Sequence, residues 1–544
     1  MNISWSRRII SELCAKSGVR EVIVCAGARN SPLVSVLART QGLSVQSFFE
    51  ERSAGFYALG VARRTDRPVA IVTTSGTAAA ELLPAAIEAF HSGVPLILVT
   101  ADRPKRLRGT GAPQAIDQTG LFGKFVEIEL DLEAGEGFDL SEWTRRAPIH
   151  LNICLDEPLI DEKHEILEPK ISDDAGFAGL AMTKQAAGAE WASLRLLKFL
   201  KAEEPLVAVV GRLETEVERE TVAELLKRLR VPVYLECNSG LRERVDLSGL
   251  ALKSGDKVLS WALKKNLFKR VLRIGGVPTV RIWRDLDDPR GTVETLSLTS
   301  LPFAGLSRGE MICAEIAPTL MQAMGSPTLD ETSARRELSA ETKLILDADF
   351  EATQMLEALF TEEPLAESSL VNALSKKMAE GALVYVGNSL PIREWDLAAA
   401  RERVVAVEAN RGVNGIDGQL STYLGLASAG RENWAILGDL TAMYDLAGPW
   451  AIGARGEKLD LRMVVINNGG GKIFSRIFGD ALFENRHSIR FDGWAKMWSL
   501  GYQLWREIPS RIEVQCPTVI EIVPDPEATA RFWDRYDGYW KSRD

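Results

Sequence analysis

The chain has 544 residues, and its 65 lysines and arginines against 75 aspartates and glutamates give a formal net charge of −10. Its 46% hydrophobic and 26% charged residues are typical of a globular protein, and the length predicts roughly three domains. The acidic balance, without a cluster of basic residues, argues against a nucleic-acid partner. We expect neither a secretory signal nor a membrane span, because no long uncharged apolar run occurs.

The cysteines and histidines narrow the chemistry further. The six cysteines lie far apart and form no Cys-x-x-Cys pair, which argues against a zinc site or a disulfide framework and favours a cytoplasmic location. None of the four histidines has an obvious catalytic sequence context. We therefore expect a cofactor or a carboxylate, rather than a histidine base, to supply the chemistry.

Short apolar runs alternate with helix-period stretches from residue 21 onward. Near-continuous apolar strands separated by helices predict a parallel sheet that is covered on both faces. In the first predicted domain, residues 1–175, these elements lie at 21–27, 31–42, 68–76, 77–90 and 94–102. A polar stretch of low periodicity, from about 161 to 189, predicts a linker.

The same rhythm returns twice. In the second predicted domain, residues 190–335, strands and one helix are predicted at 205–211, 220–230, 231–236 and 270–276. In the third, residues 345–544, strands are predicted at 382–389, 403–409, 434–439, 461–468 and 517–525. The fold class is therefore α/β with three doubly wound parallel-sheet domains, and the shared rhythm suggests one fold used three times.

Polar residues follow two of the predicted strands in the third domain. Asp439 comes after one strand, and the run Asn467–Gly471 ends the next. Ligands of doubly wound sheets bind beyond the carboxyl ends of the strands, and these oxygen donors suit Mg²⁺ held together with phosphates. Separately, Asp439 would be a helix cap and the glycine run a turn. No G-x-G-x-x-G motif supports a nicotinamide or flavin site.

These residues resemble the metal and diphosphate motif of thiamine diphosphate enzymes. Within that group, the chain resembles the 2-succinyl-5-enolpyruvyl-6-hydroxy-3-cyclohexene-1-carboxylate synthase family of menaquinone biosynthesis. The segments that carry the resemblance read CAGARNSPL, EERSAGFYALGVAR, TSGTAAAELLPAAIEA, GNSLPIREWD, NRGVNGIDGQLST, GDLTAMYDL and NNGGGKIF. It is dense over about 21–123 and 385–480, and faint in the middle domain. It implies the three-domain fold of thiamine diphosphate enzymes.

By this resemblance, Asp439, the side chain of Asn468 and the carbonyl of Gly470 would bind Mg²⁺, or Mn²⁺ in its place. Leu440 departs from the wider Gly-Asp-Gly pattern but is typical of the synthases. Ile416 would support the bent cofactor from below. The remaining implied cofactor contacts are Asn388, Ser389, Gly438, Leu440, Thr441, Gly471 and Ile473.

A pair of glutamates begins a predicted helix after the strand at 44–49. A carboxylate there is favoured by the helix dipole alone. The resemblance further implies that Glu51 lies against N1′ of the cofactor's aminopyrimidine, where it would promote removal of the thiazolium C2 proton. Glu51 is thus the expected catalytic acid, and the cofactor supplies the reactive carbon.

Arginines recur in the loops that follow strands. Arg29, Arg103, Arg393 and Arg411 each make sense as surface ion-pair partners, but together they indicate substrates with several carboxylates. By resemblance, Arg29, Arg393 and Arg411 would be catalytic-site residues that hold the carboxylates of 2-oxoglutarate and isochorismate. Arg103 would bind substrate or instead fix the loop that carries Gln114.

The resemblance also implies neutral and apolar substrate contacts. Gln114, Ser389 and Asn388 would donate or accept hydrogen bonds, and an apolar wall would consist of Ile473, Phe474 and Ile477. Arg281 replaces a lysine that is common in the family. Ala26 and Ala28 depart from its first loop, and Asn30 is a candidate to replace the hydrogen bond lost with the usual serine.

The implied reaction decarboxylates 2-oxoglutarate and adds the succinyl-semialdehyde unit 1,4 to isochorismate. The implied assembly is a homodimer or homotetramer in which Glu51 and Asp439 of one site come from different subunits. Two alternatives stay open: another thiamine diphosphate 2-oxoacid decarboxylase or acetolactate-type synthase, and a catalytically silent protein that binds thiamine diphosphate or an effector. The middle domain would be a spacer or a feedback site.

Overall fold

The computed structural model describes residues 2–173, 186–288, 291–327, 329, 338–475, 478 and 480–543. Its strands form three sheets in which every pairing is parallel. The chain divides into two compact units. One comprises residues 1–180, 410–429 and 440–459, and the other comprises 181–409, 430–439 and 460–544.

The first unit contains a six-stranded sheet in the order β2-β1-β3-β4-β6-β5. The strands are β1 Glu21–Cys25, β2 Ser44–Phe48, β3 Val69–Thr73, β4 Leu96–Asp102, β5 Ile128–Leu132 and β6 Ile149–Cys154. The helices between them are Asn2–Ser17, Ser31–Leu37, Glu51–Thr65, Thr77–Ala80 and Leu83–Ser92. Every residue of β3 and β4 is buried, as expected for strands covered on both faces.

The second unit contains two sheets, and the middle one is five-stranded in the order β11-β10-β9-β7-β8. Its strands are β7 Leu206–Val210, β8 Val233–Leu235, β9 Arg270–Ile274, β10 Glu294–Thr299 and β11 Glu310–Cys313. Its helices include Ala186–Leu200, Glu216–Leu229, Lys257–Lys264, Arg281–Asp285 and Ile316–Met324.

The last sheet has the order β13-β12-β14-β15-β17-β16. Its strands are β12 Leu383–Val386, β13 Ala406–Glu408, β14 Glu432–Gly438, β15 Asp460–Ile466, β16 Gly501–Trp505 and β17 Thr518–Ile522. The helices of this part of the chain include Ala340–Glu362, Glu367–Ser375, Leu390–Ala398, Gln419–Leu426, Asp439–Tyr444, Trp450–Arg455, Asp492–Met497 and Pro526–Arg543.

The three sheets share one topology. Numbered within each sheet, the first and last run 2-1-3-4-6-5, and the middle one runs 2-1-3-4-5 when read from its other edge. The prediction of an α/β fold with three doubly wound parallel sheets is confirmed. In each sheet the direction of winding reverses between the first and third strands, which is where ligands of such sheets bind.

Some elements differ from the sequence-based prediction. Five strands, β5, β6, β10, β11 and β16, were not anticipated, and three of them are edge strands. Edge strands are half-exposed, so they lack the continuous apolar run that identifies a central strand. The predicted helix at 77–90 is two helices, Thr77–Ala80 and Leu83–Ser92. Pro84 lies in the first turn of the second helix, and a proline has no main-chain N–H with which to extend the first.

The predicted linker at 161–189 is also shorter than expected. Its start belongs to the first unit, because Leu167 is buried and pairs with Thr40. Its end lies in the helix Ala186–Leu200, whose alanine-rich first turn has no clear period. Residues 174–185 lie outside the described residues.

Candidate active site

In the first unit, an open cavity of about 700 Å³ lies beside the ends of β2 and β3. Glu50 and Glu51 line it, together with residues of the β3–helix loop such as Thr74 and Ser75. Gln114 reaches the same wall from the loop after β4. The cavity therefore brings together the proposed proton-transfer residue and a predicted substrate contact.

The two glutamates at this cavity have separate roles. Glu50 caps the helix Glu51–Thr65, because its carboxylate accepts hydrogen bonds from the main-chain nitrogens of Arg52, at 3.2 Å, and Ser53, at 2.9 Å. Glu51 is the first helical residue. Partial burial raises the pKa of Glu51, and the negative charges of Glu50 and Glu81 add to the effect. Glu50 is thus the cap of this helix, and the carboxyl group of Glu51 remains available to a ligand.

The loop after β1 is shaped by Asn30. Its side-chain oxygen accepts from the nitrogen of Gly27 at 2.8 Å, and its nitrogen donates to the carbonyl of Cys25 at 2.9 Å. Asn30 is fully buried, so it holds this loop rather than replacing a lost substrate contact. A Cβ on Gly27 would lie 2.6 Å from the Cβ of Thr74, which explains a glycine where the β1 and β3 loops meet.

Arg29 follows in the same loop and is tied to the end of β6. Its guanidinium donates to the carbonyl of Leu155 at 2.9 Å and lies 3.3 Å from the carboxylate of Glu157. Only 12% of the Arg29 side chain is exposed. These contacts fix the position of the guanidinium at the carboxyl edge of the first sheet.

Arg103 holds the loop that carries Gln114. It donates to the hydroxyl of Ser75 at 2.9 Å and to the carbonyl of Gln114 at 3.0 Å. Gln114 has a left-handed backbone, with a φ of 55°, which is uncommon for a residue with a side chain. Of the two roles considered for Arg103, these contacts favour fixing the loop.

Gln118 was not anticipated as part of this site. It is fully buried, accepts from the nitrogen of Gly76 at 2.9 Å and donates to the side-chain oxygen of Asn152 at 2.8 Å. Asn152 in turn donates to Asp102 and Asp131, which both pair with Arg108. This buried polar network joins the ends of three strands to the loop that carries Gln114.

Arg411 lies on a loop of the first unit that Glu88 anchors. The Glu88 carboxylate accepts from the main-chain nitrogens of Gly412, at 2.8 Å, and Val413, at 2.9 Å. Burial raises the pKa of Glu88, while these hydrogen bonds and the charges of Arg63 and Arg411 oppose the rise. A charged residue within the apolar run AAIEAF was the sequence signal for this anchor. Further along the loop, Ile416 is half-buried.

In the second unit, the predicted metal ligands lie at the carboxyl ends of β14 and β15. These two strands are hydrogen-bonded neighbours, and Gly438 of β14 is opposite Ile466 of β15. The Asp439 carboxylate accepts from the nitrogens of Gly469 and Gly470, both at 2.9 Å. Asn468 follows the neighbouring strand, and its side-chain oxygen Oδ1 is buried without a hydrogen-bond partner among the described residues. The sequence-based prediction that these strand ends adjoin is confirmed.

A buried oxygen without a partner is costly unless a ligand satisfies it. Asp439, Asn468 and the nearby glycine carbonyls offer hard oxygen donors, so the residues fit a divalent cation such as Mg²⁺. The described residues hold no group of three or more His, Cys, Asp or Glu side chains that would form a metal cage. A cation here would therefore rely on phosphate oxygens as well, as Mg²⁺ commonly does.

Two residues around Asp439 were missed by the sequence analysis. The Nε2 atom of His487 lies 3.2 Å from the Asp439 carboxylate, although its sequence context gave no sign of this. Its other nitrogen, Nδ1, accepts a hydrogen bond from the main-chain nitrogen of Ile489 at 3.2 Å. Glu367 is buried and accepts from Asn468. Burial raises the pKa of Glu367, and the Asp439 charge adds to the rise.

The last sheet reverses its winding between β12 and β14, and the loop after β12 carries Asn388 and Ser389. Asn388 is fully buried. Ser389 has φ 72° and ψ −122°, a conformation that residues with side chains rarely adopt. Arg393 lies one turn into the following helix, is exposed, and donates to the carbonyl of Ser389. Strained backbone at a topological switch point is typical of a ligand site.

The remaining predicted contacts are placed less closely. The helix Asp439–Tyr444 begins at Asp439 itself and contains Leu440 and a buried Thr441. The main-chain nitrogen of Gly471 donates a hydrogen bond to the carbonyl of Glu484. Ile473 is half-buried and Phe474 is 38% exposed, its ring 5.9 Å from that of Phe478. Ile477 lies outside the described residues.

Arg281 does not occupy an enclosed position in the second unit. Its side chain is 67% exposed and lies 3.4 Å from the carboxylate of Asp285, one turn along the same short helix. The structure gives this residue a surface ion pair, which contributes little to stability.

Comparisons with known proteins place the chain among thiamine diphosphate enzymes. Residues 5–121 match the family model described as the thiamine pyrophosphate enzyme, N-terminal TPP binding domain, which supports thiamine diphosphate as the cofactor. A 2-succinyl-5-enolpyruvyl-6-hydroxy-3-cyclohexene-1-carboxylate synthase of Bdellovibrio bacteriovorus is 42% identical over 99% of both chains. Synthases of the same name from Akkermansia muciniphila and Myxococcus xanthus are 36% and 33% identical.

The alignment with the Akkermansia muciniphila synthase covers 97% of both chains. The alignment with the Myxococcus xanthus synthase covers 87% of this chain and 84% of the relative. Such identity over nearly the whole length exceeds what a shared fold alone produces. The chain belongs to the 2-succinyl-5-enolpyruvyl-6-hydroxy-3-cyclohexene-1-carboxylate synthase family of thiamine diphosphate enzymes.

Proposed function

We propose that the protein binds thiamine diphosphate with Mg²⁺, or Mn²⁺ in its place, and joins 2-oxoglutarate to isochorismate. In this reaction 2-oxoglutarate loses CO₂, and its succinyl-semialdehyde unit adds 1,4 to isochorismate. The product is 2-succinyl-5-enolpyruvyl-6-hydroxy-3-cyclohexene-1-carboxylate, the compound named in the relatives' description. The structural observation that carries the proposal is that Asp439 and Asn468 follow neighbouring strand ends and that Oδ1 of Asn468 is buried without a hydrogen-bond partner among the described residues.

The chain's own residues have distinct tasks in this proposal. Asp439, Asn468 and the carbonyl of Gly470 would hold the cation and thereby the cofactor diphosphate. Glu51 would hold a proton at N1′ of the aminopyrimidine, and its raised pKa suits proton sharing with a ring nitrogen. When bound, thiamine diphosphate supplies the electron sink for decarboxylation.

The arginines would select the substrates. Arg29, Arg393 and Arg411 would each form paired hydrogen bonds with a carboxylate, while Gln114 and Ser389 would bind neutral oxygens. 2-Oxoglutarate and isochorismate carry four carboxylates together, so several guanidinium groups are needed. A pyruvate decarboxylase or an acetolactate-type synthase has less use for them, which favours the synthase over these alternatives.

Domain layout, assembly and location complete the proposal. We assign residues 1–175, 190–335 and 345–544 to three domains, each built around one of the sheets. We expect a homodimer or homotetramer that acts in the cytoplasm. In the described part of the chain, no helix is both long and apolar enough to cross a bilayer.

The direct test follows isochorismate by its absorbance with 2-oxoglutarate, thiamine diphosphate and Mg²⁺ all present, and then with each withheld in turn. We expect isochorismate loss only in the complete mixture. Persistence of isochorismate while 2-oxoglutarate or pyruvate is decarboxylated would support the alternative thiamine enzymes. Absence of any reaction, with thiamine diphosphate still bound, would support the silent binding protein.

A matched pair of variants tests the arginine assignment. Arg393→Ala should raise the KM for at least one substrate tenfold or more, since a lost charged hydrogen bond costs roughly 1.5–3 kcal/mol. Arg284→Ala, which removes a 74%-exposed arginine of the same unit, should leave both KM values unchanged. Equal effects of the two substitutions would argue against a specific role for Arg393.

A further inference from the structure

Glu367 makes an unusually specific contact with the proposed metal ligand Asn468. Nδ2 of Asn468 donates to both oxygens of the Glu367 carboxylate, at distances of 2.9 Å and 3.2 Å. Glu367 is only 2% exposed, and its own main-chain nitrogen donates to the hydroxyl of Thr529 at 3.1 Å. The carboxylate is thus fixed in place behind the asparagine, on the side away from the partnerless oxygen.

An asparagine side chain offers two chemically different ends. A half-turn of the amide exchanges a carbonyl oxygen, which binds cations, for an NH₂ group, which repels them. Both oxygens of the Glu367 carboxylate accept from the same nitrogen, Nδ2, so this contact occupies the NH₂ end of the amide. The partner of Asn468 therefore decides which end of the amide faces away from Glu367.

We propose that Glu367 is a positioning residue that orients the Asn468 amide so that its oxygen, and not its nitrogen, is presented to the cation. This inference rests on the proposed function, because it assumes a cation between Asp439 and Asn468. It predicts a role in metal affinity for a residue that touches neither metal nor substrate. Partners of this kind typically change metal affinity 10- to 100-fold when they are replaced.

A glutamine at position 367 provides the sharpest test. Its side chain has nearly the same shape but offers an NH₂ group of its own, which can donate to the oxygen of Asn468 and stabilise the flipped amide. The probe is Mn²⁺, titrated into protein saturated with thiamine diphosphate, with free Mn²⁺ followed by electron paramagnetic resonance. We expect Glu367→Gln to weaken Mn²⁺ binding at least tenfold.

The chain offers a matched control one residue earlier. Asn467 likewise donates its amide hydrogen to a buried carboxylate, that of Glu521 at 2.7 Å, but Asn467 is not a proposed metal ligand. Glu521→Gln should leave Mn²⁺ affinity within about twofold of the wild type. An equal loss in both variants would mean that Glu367 acts only through the stability of the fold, and would overturn the inference.

A reciprocal exchange separates orientation from general damage. In Glu367→Gln with Asn468→Asp, the glutamine donates to one aspartate oxygen and the other oxygen remains for the cation. We expect this double variant to recover most of the Mn²⁺ affinity that Glu367→Gln loses. Thermal unfolding of the metal-free variants is measured in parallel, and if the single variant does not fold, the double variant carries the test.

The outcomes distinguish this inference from the proposed function. A wild-type protein that binds no Mn²⁺ with thiamine diphosphate would contradict the proposed function itself. A folded Glu367→Gln variant that binds Mn²⁺ as tightly as the wild type would contradict only the inference. A folded double variant without recovered affinity would likewise contradict it, because a symmetric carboxylate needs no orienting partner.

Discussion

Glu50 and Glu51 are adjacent in the chain, and the structure gives them different tasks. Glu50 satisfies two main-chain nitrogens at the start of a helix. Glu51 lines the cavity of the first unit, where burial raises its pKa. A pair of identical residues with different surroundings makes each the natural control for the other.

We predict that Glu51→Gln abolishes proton exchange at C2 of bound thiamine diphosphate, lowering it by roughly 10²- to 10⁴-fold, because an amide cannot share a proton as the carboxyl group does. Exchange is measured by nuclear magnetic resonance after dilution into deuterated water. Glu50→Gln should instead lower the free energy of unfolding by about 1 kcal/mol and leave exchange intact. Unchanged exchange in Glu51→Gln would refute the assigned role.

Glu88 provides a second prediction for a single residue. Glu88→Ala removes the buried acceptor for two main-chain nitrogens of the loop that carries Arg411, at a cost of about 1–3 kcal/mol. We expect a raised KM for the carboxylate substrates with a smaller change in kcat. Glu88→Gln retains one acceptor and should lie between the wild type and the alanine variant. A kcat loss at constant KM would indicate a different role.

Two helices of the first unit, Glu51–Thr65 and Gln419–Leu426, cross closely enough to require glycine. A Cβ on Gly60 would lie 2.1 Å from the carbonyl oxygen of Thr422, and a Cβ on Gly425 would lie 2.3 Å from that of Tyr57. The crossing holds the helix that begins at Glu51 against the rest of the unit. Glycine is thus needed here for backbone contact rather than for backbone flexibility.

Gly60→Ala should therefore destabilise the protein by roughly 1–3 kcal/mol, since main-chain atoms cannot move aside as a side chain can. Gly453→Ala, in the helix Trp450–Arg455 of the same unit, is the control. It has open space around it and should gain up to about 1 kcal/mol of helix propensity. Urea unfolding of both variants measures the difference, and a neutral Gly60→Ala would show that the crossing relaxes.

The polar network at the ends of β4, β5 and β6 predicts a pH dependence. Burial acts to raise the pKa of Asp131, but hydrogen bonds from Arg108 and Asn152 outweigh it and hold the pKa well below its usual range. The stabilisation is present above the pKa of the unfolded chain, about 3.9, and is lost as the pH falls below that value. Acid should therefore weaken this network.

Comparison of the wild type with Asp131→Asn isolates this contribution. We expect the substitution to cost about 1–2 kcal/mol of unfolding free energy at pH 6 and less at pH 3, because at pH 3 the unfolded chain already binds the proton, whereas the folded carboxyl group loses its charge only at a still lower pH. Denaturant unfolding at the two pH values provides the measurement. A constant difference across the range would mean that the ion pair with Arg108 contributes nothing.

At the scale of the whole molecule, the first unit exposes apolar side chains next to its cavity. Phe49 is 57% exposed and packs edge-on against Trp450, which is 39% exposed, with ring centres 5.0 Å apart. Tyr444 lines the cavity and is 50% exposed, and the guanidinium of Arg52 lies over its ring. Contiguous exposed apolar surface of this kind is typical of a protein interface.

We predict that this surface is buried in the proposed homo-oligomer and that specific activity falls when the protein is diluted to monomers. Phe49→Ala should shift sedimentation towards smaller species at equal concentration, because it removes apolar area from the interface. Val245→Ala, at an isolated residue that is 86% exposed, should leave association unchanged. Full activity in a monomeric fraction would contradict the prediction.

The sequence alone determined the parallel α/β class, the family, and the strand ends at which the candidate site lies. Central strands such as β3 and β4 are buried on both faces, so most of their residues are apolar and the sequence predicts where they lie. The site residues Asp439 and Asn468 follow such strands directly. A parallel sheet brings the ends of neighbouring strands together, so adjacency followed from their order.

Tertiary structure decided what lies behind those residues. Glu367 is 101 positions from Asn468, and Glu88 is 324 positions from Gly412, so no local pattern links either pair. The edge strands β5, β11 and β16 were hidden because half-exposed strands lack a continuous apolar run. The contact between His487 and Asp439 was hidden because it forms only when the chain folds. Local spacing encodes burial in regular elements, whereas the hydrogen bonds that orient a functional group are made only when the chain folds.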